Sequence, residues 1–196
     1  MERDELTELH YITPIDNVPS ILARGLLSHR RVAKLGHQSV AMQELQDKRA
    51  KVTVPGGRPL HEYVNLYICA RNPMLDKRKG SHLDLCVLRI VPSVIDLPGV
   101  VISDSNAGSD YVRFAAAPSG LKIVDREATF AEYWTDQDPI EKYRKAARKC
   151  AEVLVPDKVP APYVTGAFVS CSQSLASFEA IQSGLPAVVD AHLFFR

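Results

Sequence analysis

Cysteine is scarce and unpaired in this sequence. Cys69, Cys86, Cys150 and Cys171 are the four among 196 residues, and no two stand in a C-x-x-C spacing. A clustered zinc site and a dense disulfide scaffold are therefore excluded, and four reduced, mostly buried thiols with no bound metal are expected. No apolar run approaches the ~18–20 residues of a membrane span. The opening Met1-Glu2-Arg3-Asp4-Glu5 is charged, unlike a secretory signal, so a cytoplasmic protein is expected. Net charge is almost absent, at +1, and by itself points to no partner. Neither G-x-G-x-x-G nor G-x-x-x-x-G-K-[ST] occurs, so a Rossmann site and a P-loop both lack support. Internal repeats, low-complexity tracts and long linkers are missing as well, which favours one domain over residues 1–196.

What charge there is lies segregated. Residues 24–58 carry eight Lys/Arg against Glu44 and Asp47. Residues 71–79 add Arg71, Lys77, Arg78 and Lys79, and residues 142–149 add five more cations. Segregated charge on a near-neutral chain can build a local anion-binding face; solvated surface is the plainer alternative. Thirteen prolines and ten glycines cut the chain into short elements. Strands are expected at 9–12, 63–70, 83–91, 100–103, 152–155, 164–170 and 185–195. Helices are expected from Asp16, as N-cap, to Gly25, and at 38–50, 128–135, 139–150 and 172–183. Ile21, Leu22 and Leu26 would face the core from the first helix, and Leu175, Phe178 and Ile181 from the last. This mixture has no βαβ rhythm. It implies an α+β fold with a strongly bent or split, mostly antiparallel sheet and helices around it.

Three patches could carry chemistry. In His10-Tyr11-Ile12-Thr13, a His and a Thr expected on one strand face offer hydrogen bonds to a ribose or an amide. In Tyr67-Ile68-Cys69-Ala70-Arg71-Asn72-Pro73-Met74, a strand delivers polar groups to its end, where Pro73 disfavours helix in the residue before it. In Arg144 to Pro156, a basic helix runs into an apolar strand that opens on Glu152. A lone carboxylate entering a buried strand needs a partner, which a ribose diol, an arginine or a backbone amide would supply.

Taken together and in order, these patches resemble the DarT family, the toxin half of DarT–DarG toxin–antitoxin pairs. Leu9–Ser28, LHYITPIDNVPSILARGLLS, is similar to the family's opening "YHIThidNlpsIlreGlLs". The likeness continues through Gln46–Arg49, Val54-Pro55, Leu60–Val64, Tyr67–Leu75 and Ile102–Ala107, and ends at Ala151–Pro156. The resemblance implies an ADP-ribosyltransferase fold, a split sheet with NAD⁺ as substrate in its cleft. It implies transfer of ADP-ribose to a base, guanine or thymine, of single-stranded DNA, and a cognate antitoxin that blocks or reverses the modification. His10 and Thr13 then correspond to residues on the nicotinamide side of NAD⁺, with Asn17 and Tyr67 as further NAD⁺ contacts. Arg49 corresponds to an arginine near the pyrophosphate and reacting base, and Glu152 to the catalytic glutamate. The division of proton handling between Glu152 and Arg49 stays open. Arg71, Lys77, Arg78, Lys145 and Arg148, from the basic segments, are the expected DNA contacts, and Tyr111, Tyr133 or Trp134 could stack on bases. Two departures, Asn72 for Ser and Asp76 for Tyr around the Pro73 turn, together with a short stretch from Pro118 to Glu152, lean the target toward guanine. The alternatives are ADP-ribosylation of RNA or protein, and a nucleic-acid-binding module without catalysis.

Overall fold

The computed structural model describes residues 1–33 and 43–196, and of residues 43–45 only the backbone. Runs rich in Val, Ile, Leu and Tyr become strands: β1 (Leu9–Pro14), β2 (Leu26–Leu27), β3 (Tyr63–Tyr67), β4 (Leu85–Ile90), β5 (Val101–Ser103) and β6 (Phe114–Ala116). They are followed by β7 (Glu152–Pro156), β8 (Lys158–Val159), β9 (Val164–Val169) and β10 (Ala187–Val189). The helices are α1 (Val18–Arg24), α2 (His29–Val32), α3 (Gln43–Ala50), α4 (Pro73–Asp76), α5 (Arg126–Phe130), α6 (Pro139–Lys149) and α7 (Ser172–Ala180).

Eight strands make one sheet in the order β10-β9-β4-β1-β3-β7-β5-β6, antiparallel throughout except for the parallel β9–β10 edge. The expected α+β class with a mostly antiparallel sheet is thus the observed one. The sheet is split at its centre. β1 and β4 pair along six residues, whereas β1 meets β3 at one register pair, His10 opposite Tyr67. Beyond that pair the strands part, and a cleft opens between Ile12–Pro14 and Tyr63–Tyr67.

Alternation along the strands sorts the two faces. Leu9, Leu66, Leu88, Ile90, Ile102, Val153, Val155 and Val169 fill the main core on one face. On the other, Ile12, Tyr67, Leu85 and Val87 form a smaller core with Leu193 and Phe194. Phe178 of α7 is buried, with Leu175 and Ile181 packed partly against the main core, as the helical spacing predicts.

Several expected elements differ. The first helix is entered through a 3-10 turn, Ile15–Asn17, and capped at Asn17 without a side-chain bond, so Asp16 is not its N-cap. Gly25 ends it at φ 85°, and Leu26 leaves the helix to pair with Val159. Residues 185–195 contribute only a three-residue strand before turns. The helix expected at 128–135 is the five residues of α5, because Asp125 caps it early. Of the helix expected at 38–50, residues 43–50 are helical and the remainder lies outside the described residues.

Candidate active site

Glu152 opens β7 immediately after α6 and is fully buried. Its two carboxylate oxygens each accept from Arg49 Nη1 at 3.1 Å, and Oε1 also accepts from the Ala107 amide at 3.1 Å. The lone strand-entry carboxylate has therefore found both an arginine and a backbone amide. Ser103, opposite Glu152 in the β5–β7 register, steadies the strand: its Oγ accepts from the Glu152 amide at 3.3 Å and donates to the Ser105 carbonyl at 2.8 Å. Burial alone would make the Arg49 guanidinium easier to deprotonate. The charge of Glu152 and the hydrogen bonds to it outweigh that effect and hold the Arg49 pKa above its usual value. Tyr67, opposite Glu152 on β3, has its phenol pushed well up, first by burial and then by the Glu152 charge.

The approach to β7 is pinned from the other side. Lys149, buried at the end of α6, donates to the Thr129 carbonyl at 3.0 Å and to Cys69 Sγ at 3.2 Å. The Asn106 amide bonds the Ala147 carbonyl at 2.9 Å, tying the loop that carries Ala107 to α6. Gly108 stands where an added Cβ would meet Arg49 Cγ at 3.3 Å, so this loop closes tightly over the arginine.

Arg49, Thr13, Asn17 and Tyr67 all line the cleft, and Asn17 Nδ2 donates to Thr13 Oγ1 at 3.2 Å. His10 does not join them. It lies three residues from Thr13, and strand alternation puts it on the opposite face, correcting the shared face expected from sequence. Its Nε2 lies 3.3 Å from Glu8, whose carboxyl is held at a pKa of about 2 by its hydrogen bond with His10 and by Arg89. The residue two before Thr13 is Tyr11, and Tyr11 does line the cleft. Placed against the motif YHIT, this chain has HYIT: Tyr and His are exchanged, and Tyr11 stands in the histidine's place. That spacing was the signal available in the sequence.

The five basic residues expected to meet DNA are scattered. Arg71 donates to the Glu132 and His192 carbonyls at 2.9 and 3.1 Å and lies 4.3 Å from the centre of the Phe195 ring. It is an internal tie between segments rather than an open cation. Lys145 pairs with Asp136 at 2.7 Å, and Arg148 sits 3.9 Å from Asp125. Lys77 is exposed; Arg78 is half-buried, with Nε and Nη2 unpartnered. None of the five lines the cleft, whereas Arg24 and Lys48 do. Tyr111 and Tyr133 are exposed, while Trp134 packs edge-on against Phe195.

Residues 10–195 match the family described as "ssDNA thymidine ADP-ribosyltransferase, DarT". The chain belongs to the DarT family. A "DNA ADP-ribosyl transferase-DNA ADP-ribosyl glycohydrolase fusion protein" of Thermosipho africanus is 32% identical over 200 residues, 96% of this chain and 49% of the relative. The chain thus spans about half the length of that fusion. Thermus sp. 2.9 DarT in complex with ADP-ribosylated ssDNA superposes with a TM-score of 0.82 at 25% identity, covering 97% of each chain. The same protein in complex with NAD⁺ gives 0.78 at 26% identity, covering 97% of this chain and 98% of that one. The DarT resemblance and the split-sheet fold read from the sequence both hold. No helix among the described residues is long and apolar enough to cross a membrane.

Proposed function

We propose that this chain transfers the ADP-ribose of NAD⁺ to a base of single-stranded DNA and releases nicotinamide. The observation that carries the reading is the buried Glu152 carboxylate, gripped on both oxygens by Arg49, which lines the split-sheet cleft. Cleaving the nicotinamide–ribose bond leaves positive charge on the ribose. Glu152 is the carboxylate that stabilises it, and a preorganised, water-poor setting makes that stabilisation strong. Arg49 orients the carboxylate and stays cationic, which suits it to a pyrophosphate or to charge on the acceptor. Thr13, Asn17, Tyr67 and Tyr11 form the walls that hold NAD⁺. Tyr11 takes the position first given to His10.

The target base is proposed to be thymidine. The family description names it, and this outweighs the lean to guanine drawn from Asn72 and Asp76. Asn72 also has a local explanation: its side chain caps α4, accepting from the Met74 and Leu75 amides. A partner that removes the modification is proposed as well, since the Thermosipho relative carries a glycohydrolase in the same polypeptide. The reaction is placed in the cytoplasm, where NAD⁺ and unpaired DNA meet. The test is incubation with labelled NAD⁺ and, separately, single-stranded DNA, duplex DNA, RNA and protein. Label on thymidine-containing single strands is expected. Label confined to RNA or protein would overturn the reading, and label confined to guanine-containing strands would overturn the base.

A further inference from the structure

The loop from β5 to β6 meets both halves of the reactive pair within two residues. The Ala107 amide donates to Glu152 Oε1 at 3.1 Å, and Gly108 packs where an added Cβ would lie 3.3 Å from Arg49 Cγ. These two residues are the middle of a turn over residues 106–109, closed by the Ser109 amide on the Asn106 carbonyl at 2.9 Å. The Asn106 side chain takes the amide before it: Oδ1 accepts from the Gly108 N–H at 2.9 Å. The Gly108 and Ser109 amides thus both go to Asn106, and the Ala107 amide is left for the carboxylate. Ala107 is fully buried, so its N–H needs a partner within the protein. The ends of the turn are held separately. The Asn106 amide bonds the Ala147 carbonyl at 2.9 Å, the Ser105 carbonyl accepts from Ser103 Oγ at 2.8 Å, and Ser109 Oγ donates to the Asn106 carbonyl at 2.7 Å.

We propose that Asn106 is a positioning residue: its side chain shapes the turn so that the Ala107 N–H meets Glu152 while Gly108 lies against Arg49. This rests on the reading of Glu152 and Arg49 as the reactive pair. A side chain that accepts from the amide two residues on fixes the backbone between them, and the Ala107 N–H lies in that stretch. The bonds at the ends of the turn set where it stands; the bond from Gly108 to Oδ1 sets its shape. Aspartate would make the same turn. It would also put a negative charge one residue from the Glu152 contact, and on the wall of the cleft that Asn106 lines. A second carboxylate there would oppose the ionised form of Glu152 and repel a pyrophosphate. The neutral amide of asparagine makes the turn without either effect.

The experiment compares wild type, Asn106→Ala and Asn106→Ser. Ala removes the acceptor; Ser keeps a hydroxyl that makes the same kind of turn more weakly. Each protein is assayed for kcat and for KM for NAD⁺ in transfer to single-stranded DNA, and for amide hydrogen exchange resolved at Ala107 by NMR. A thermal midpoint checks that each is folded. In Asn106→Ala, kcat should fall by about tenfold, the scale of one misdirected hydrogen bond, with little change in KM. Exchange at Ala107 should quicken. Asn106→Ser should recover most of both. Wild-type kcat and exchange in Asn106→Ala would overturn the proposal. So would a raised KM with kcat and Ala107 exchange unchanged, which would make Asn106 a direct contact of NAD⁺ instead. Equal loss of kcat in both variants with Ala107 exchange unchanged would overturn it as well. If wild type labels no DNA, the proposed function fails, while the exchange comparison still decides whether Asn106 sets the Ala107 amide.

Discussion

The Arg49–Glu152 contact joins two charges that are almost wholly out of water, and each depends on the other. Breaking such a pair by removing one partner is far more damaging than its net worth suggests, because a buried charge is left bare. Arg49→Met should therefore lower stability by about 3 kcal/mol, seen as a reduced denaturant midpoint with an unchanged slope. Glu152→Gln keeps the size and one acceptor oxygen but loses the charge. Transfer should fall by about 10²–10³ or more while calorimetry still shows NAD⁺ binding. Near-wild-type turnover in folded Glu152→Gln would remove it from the chemistry. At the cleft wall, Tyr11→Phe should weaken NAD⁺ binding by the equivalent of about 1 kcal/mol, one hydrogen bond, whereas His10→Gln should leave it unaltered. The reverse ranking of dissociation constants would return the role to His10. Glu152 was legible in the sequence because a carboxylate at the mouth of an apolar strand demands a partner. His10 was misplaced because its spacing from Thr13 is odd, and odd spacings on a strand point to opposite faces.

Among the elements, the longer strands and the three-residue β5 were readable from composition, whereas β2, β6 and β8 were not. β2 and β8 are two residues each, held by their pairing of Leu26 with Val159 and Leu27 with Lys158 rather than by any local preference. β6 forms because it lies along β5, with Ile102 opposite Ala115; Phe114-Ala115-Ala116 alone carries little strand signal. The Pro73 turn was legible as an end to β3, but the destination of Arg71 was not, since its partners lie 61 and 121 residues away. Arg71→Ala removes two bonds to carbonyls and a ring contact. It should cost about 1–3 kcal/mol of stability and leave the salt dependence of DNA binding unchanged. A lower salt slope with unaltered stability would show that Arg71 meets phosphate after all.

At the scale of the whole molecule, the basic run from residue 24 to 58 is less available than the sequence suggests. Arg30, Arg31 and Arg58 pair with Glu62 and Asp157, acids that follow them in the chain. Among the described residues, Arg24 and Lys48 are the Lys/Arg that line the cleft besides Arg49. If these two meet phosphates, log K for single-stranded DNA should fall against log salt with a slope of about −1.4, at roughly −0.7 per contact. A flat response would confine DNA recognition to uncharged contacts, and a much steeper one would recruit the exposed lysines of α6 and the α4 turn. The element pattern pointed to a bent or split sheet and the family likeness to a split one, but neither located the parting. No periodicity in β1 or β3 says that they meet at one residue pair and then part.

The bond between Arg49 and Glu152 spans 103 residues of sequence. A polypeptide leaving the ribosome therefore exposes the guanidinium long before the carboxylate exists, and β7, which opens on Glu152, is made when three quarters of the 196 residues are already out. Contacts of such separation form late, after the loop-closure entropy between them has been overcome. A prematurely terminated copy ending before residue 152 would carry the cleft-lining residues but not Glu152. A copy truncated upstream of β7 can therefore form neither the Arg49–Glu152 pair nor the Ala107–Glu152 bond that holds it.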